Sequence, residues 1–108
     1  MKTLIERIEI AKINERNAKD AWDDHNTPDS EANMLIATAK LEFLYILSMV
    51  NKIKGENKDI ATFYKNIANE SIKTAQLAQE NGCIEGVKDS TELVHNNWKK
   101  ISKMLLSK

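Results

Sequence analysis

The sequence predicts an all-α protein, an antiparallel up-down-up-down four-helix bundle. Three observations predict it. Helix breakers are scarce and fall in three places, near Asn26–Pro28, at Gly55 and across Asn81–Gly86. The four segments between them are similar in length. Their apolar residues recur at spacings of three and four, never in the alternation of a half-buried strand. Equal helices with short connections pack most simply up-down-up-down.

The first segment, about 2–26, carries Met1, Leu4, Ile8, Ala11, Ala18 and Trp22 on one stripe, broken only by Glu15. The second, about 28–54, opens on Thr27 as N-cap and Pro28 at the first helical position. Asp29 and Glu31 sit there beside the positive helix end. Lys52 and Lys54 are expected to close it ahead of Gly55. The third, about 57–81, is expected to use Asn57 as cap. Its seam is Ile60, Tyr64, Ile67, Ser71, Thr74 and Ala78, flanked by Phe63, Ala68, Ile72 and Ala75. The small residues among these let a neighbouring backbone approach closely. The fourth, about 84–107, has the cleanest stripe: Ile84, Val87, Thr91, Val94, Trp98, Ile101 and Leu105. A short turn before a cap near Asp89 or Ser90 is an alternative start.

The second segment is unlike the others, because apolar residues nearly encircle it from Met34 to Ile53. One helix of a four-helix monomer buries a single broad stripe, so this perimeter exceeds what three sister helices need. Ile36, Phe43, Leu47 and Val50 share one side of it and are the expected partner-binding residues. A homodimer is the simplest such partner arrangement. A most central helix of a lone bundle is the competing explanation.

Composition bounds the function. The 108 residues suit one domain, 42% apolar and 30% charged, with sixteen basic and sixteen acidic side chains in balance. A neutral chain lacks the basic excess of a polyanion binder. Lys also outnumbers Arg fourteen to two, although Arg is the better bidentate ligand of phosphates and bases. Nucleic acid is therefore not the expected partner. Lys99, Lys100, Lys103 and Lys108 complement the negative end of the last helix. The acidic Asp20, Asp23 and Asp24 oppose the dipole of the first. A lone Cys83 allows no intrachain disulfide and no multi-cysteine zinc site. Glu6, Arg7 and Glu9 interrupt the first apolar residues, so no secretion leader is expected. The longest uncharged apolar run, Phe43–Val50, is short of the roughly 20 residues of a membrane span. A cytoplasmic protein is expected. Its wealth of Lys, Asn and Ile over Arg suits an AT-rich bacterial or phage source.

No glycine-rich phosphate loop, Ser/His/Asp set, Cys/His dyad or paired CxxC occurs, so neither catalysis nor a cofactor is expected. Trp22 and Trp98 lie on apolar stripes and read as core anchors. One constellation points elsewhere. Glu15, Glu42, Glu70 and His95 fall at similar depth if the bundle runs up-down-up-down, a polar belt able to bind a metal or small ligand. Glu92 and His95 add the ExxH spacing of carboxylate-bridged di-iron bundles, which use that motif twice where this chain has it once. The leading expectation is a small helical protein–protein interaction module, with the metal- or ligand-binding bundle as the alternative.

Overall fold

The computed structural model describes residues 2–106. Four helices form: α1 (Leu4–His25), α2 (Pro28–Val50), α3 (Glu56–Glu80) and α4 (Ile84–Leu106), with no strand among the described residues. Met1, Lys108 and the expected helix end at 107 lie outside the described residues.

The helix ends follow local chemistry. The Thr3 side chain accepts the Glu6 N–H to open α1. Asn26 takes a left-handed conformation (φ 53°) to close it, donating its backbone N–H to the Trp22 carbonyl. The next residue, Thr27, caps α2 reciprocally with Ser30, and Pro28 stands first in the helix. At the other end α2 stops at Val50, four residues before the expected 54. Lys52 and Lys54 lie beyond it. The Lys58 ammonium of α3 instead donates to the Val50 carbonyl at 2.7 Å, while Ile53 buries itself from the following turn. Gly55, not Asn57, precedes α3, with no side-chain cap. Gly82 (φ 71°) lets the chain turn back between α3 and α4, and Ile84 begins α4 directly. Asp89 and Ser90 lie inside that helix.

Cross-helix bonds give direction. Asn33 meets Gln79 and Val50 meets Lys58, so α3 runs back along α2. Glu31 with Lys88, Glu42 with His95 and Met49 with Ser102 show α4 running the same way as α2.

The packing is uneven. Helices α2, α3 and α4 pack against one another, whereas α1 packs against α2 alone. The α3–α4 contact is close because Ala61, Ala68 and Ala75, seven apart, are all fully buried. Gly86 serves the same approach, since a Cβ there would stand 3.0 Å from the Ala78 Cβ. These small residues turn α3 by roughly 80° from its expected seam, at about 100° per residue. Ile60, Phe63 and Thr74 are consequently exposed, where a core position was expected. The α4 stripe lies inward as expected, with Val87, Val94 and Ile101 fully enclosed. In α1 only Ala11 is buried; Leu4 and Ile8 are half-covered against Leu41 and Leu44.

Most of the apolar perimeter of α2 is thus accounted for. Ala39, Ile46 and Val50 face the main core, and Leu41, Leu44 and Tyr45 face α1. The charge-free run Phe43–Val50 understates this helix: over its full length α2 is long and apolar enough to cross a membrane, by length and composition alone. Here it is the element on which the other three pack.

Candidate functional site

Because α1 and α3 both lean on α2 without touching each other, a groove opens between them. Its volume is about 940 Å³. The floor is α2, where Ile36, Phe43 and Leu44 supply apolar surface along with Ile72 of α3. From Asn33 to Leu44 that floor covers about three helical turns, roughly 16 Å at 1.5 Å per residue. Ile10, Ala11 and Asn14 form the α1 wall; Asn69, Gln76 and Gln79 form the α3 wall. The Gln79 amide donates to the Asn33 carbonyl oxygen, tying α3 to α2 at one end of the groove.

The electrostatics are one-sided. Lys2, Arg7 and Lys40 line the groove, and no Asp or Glu does. In a chain whose charges balance sixteen to sixteen, that is a local cationic excess. Neither Arg7 nor Lys40 is among the ion-paired lysines and arginines of the described residues, which are Lys12, Lys19, Lys73 and Lys88.

The expected partner set divides. Ile36 is 6% exposed and Phe43 half-buried, and both line the groove. Leu47 packs beside the α1–α2 contact and Val50, 4% exposed, belongs to the main core. A helical wheel places these four on one side, but the neighbouring helices partition that side among themselves.

The expected polar belt comes apart as well. Glu42 and His95 meet across α2 and α4 in a hydrogen-bonded pair, with the His95 ring 5.5 Å from that of Trp98. Glu15 instead lies 3.6 Å from Lys19 on its own helix, because α1 does not reach α4. Glu70 points outward to Lys73 at 3.3 Å, on the face of α3 opposite the buried alanines, and Glu92 is exposed. Among the described residues no three His, Cys, Asp or Glu converge as a metal site. The metal-binding alternative therefore loses its four-residue belt. Cys83 is free and exposed. Trp22 and Trp98 are both half-buried, Trp98 against the main core.

Sequence reasoning passed over Lys40, Arg7 and the carboxamides of the α3 wall. One trace of the groove was present: Lys40 is the sole basic residue of α2, set in its most apolar stretch.

Comparison with protein-family models, with curated proteins and with solved structures gave no match.

Proposed function

We propose that this chain is a non-catalytic protein–protein interaction module that receives a partner's helix in the groove between α1 and α3. The observation that carries the reading is the packing of α1 on α2 alone, which leaves a groove along three turns of α2 whose apolar floor is reached through the half-buried Phe43, with Ile36, Leu44 and Ile72 buried beneath. Helix-in-groove recognition needs such a trough, with apolar anchors below and polar groups at the rim. Ile36, Phe43, Leu44 and Ile72 supply the floor, and Lys40, Asn69 and Gln76 supply the rim. This reading keeps the apolar character of α2 as the source of binding but confines it to the part its own chain leaves open.

The test is a photo-activated cross-linking residue placed at Lys40, at the groove's edge, in cells producing the protein. The same residue at the exposed Glu92 of α4 is the control. Protein adducts at position 40 and not at 92 are expected. Equal labelling at the two positions, or none at 40, overturns the reading.

A further inference from the structure

We infer that the helix received is α1 of a second copy of this chain, so that two copies form a two-fold dimer around a shared core of both α1–α2 hairpins. This rests on reading the groove as a helix-docking site and names its occupant.

The first argument is charge. The groove presents Lys2, Arg7 and Lys40 without a carboxylate. The outer surface of α1 presents the reverse. At about 100° per residue, Glu6, Glu9, Ile10, Ile13, Asn17, Asp20 and Asp24 fall within an arc of about 100°. All seven are exposed. That arc carries four carboxylates, of which Glu9 also meets Lys12 at 3.3 Å, no Lys or Arg, and two large apolar anchors, Ile10 at 39% and Ile13 at 54% exposure. It is an acidic amphipathic helix face, the complement of a cationic trough with an apolar floor.

The second argument is closure. Ile10 belongs both to the exposed arc and to the groove wall. A helix seated in the groove therefore lies alongside α1. If that helix is the partner's α1, one two-fold axis seats each α1 in the other's groove at the same time. Such an isologous contact satisfies both surfaces and stops at two copies. The arrangement also covers a helix that buries only Ala11 within its own chain.

The experiment is light scattering coupled to size exclusion across a concentration series. A mass of twice the 12.3 kDa chain is expected. Two double variants, Arg7→Glu with Lys40→Glu and Glu6→Lys with Glu9→Lys, change exposed side chains only; the second also gives up the Thr3–Glu6 and Lys12–Glu9 contacts, so circular dichroism is run on both to confirm that the helices are kept. Each alone is expected to weaken self-association by about tenfold or more, through like charges facing across both halves of the contact. Mixed in equal amounts they should re-associate, because each then offers the other's complement. Three results overturn the inference: a single-chain mass at every concentration, a dimer indifferent to both variants, or a mixture that stays monomeric. A single-chain mass together with a position-40 adduct to another protein removes the self-dimer while leaving the docking reading in place.

Discussion

The α3–α4 contact and the α1–α2 contact are built from similar helices and end differently. In α3 the inward residues at seven-residue spacing are Ala61, Ala68 and Ala75, all fully buried, and α4 closes over them with Val94 and Ile101 at zero exposure. In α1 the same spacing gives Ala11 and Ala18, but Glu15 stands between them and turns to Lys19. A carboxylate in a seam must keep water or a partner, because burying it alone is costly. The α1 seam is half-open around Glu15, and α1 packs on α2 alone.

The comparison can be broken first at its strong side. Ile101→Ala removes a fully enclosed side chain and is expected to cost about 2–5 kcal/mol in denaturant unfolding. A loss under about 0.5 kcal/mol, within the range of surface changes, shows the α3–α4 contact is not the main core. Next in size, Ala68→Leu forces extra volume into the closest approach and should destabilise by about 1–3 kcal/mol. Ala18→Leu, on the half-covered face of α1, is expected to stay within about 0.5 kcal/mol of the parent. Equal costs for the two leucines erase the distinction. The smallest effect sharpens it. Glu15→Leu completes the α1 seam and should stabilise the chain by up to about 1 kcal/mol, part of the transfer free energy of a leucine only partly covered. A lowered melting temperature for this variant means that the Glu15 carboxylate is holding α1 in place.

The legible parts of the fold were those decided within one helix. Thr27 with Pro28 marked the start of α2 to the residue, and the seven positions of the α4 stripe are all buried or half-buried. The illegible parts were decided between helices. Ile53 reads as a continuation of α2, yet it packs from a turn whose preceding carbonyl is satisfied by Lys58 of the next helix. Ile60 and Phe63 read as core because they are large and apolar; close approach selected the alanines beside them instead. The surplus on α2 was visible as a quantity. Where it stays open depends on α1 not reaching α3, which no spacing in either helix records. The belt of Glu15, Glu42, Glu70 and His95 failed for the same reason, since equal depth along a bundle does not set direction around each axis.

The two-residue bend between α1 and α2 bears on the route by which the inferred dimer would form. A left-handed Asn26 and a proline at the head of α2 resist straightening into one continuous rod, since an interior proline forfeits a backbone bond and crowds the preceding turn at about 3 kcal/mol. Exchange of α1 between molecules by opening that bend is thereby disfavoured. The inferred dimer would instead form between finished surfaces, in a bimolecular step whose rate scales with concentration and slows as salt is added, without waiting on any unfolding.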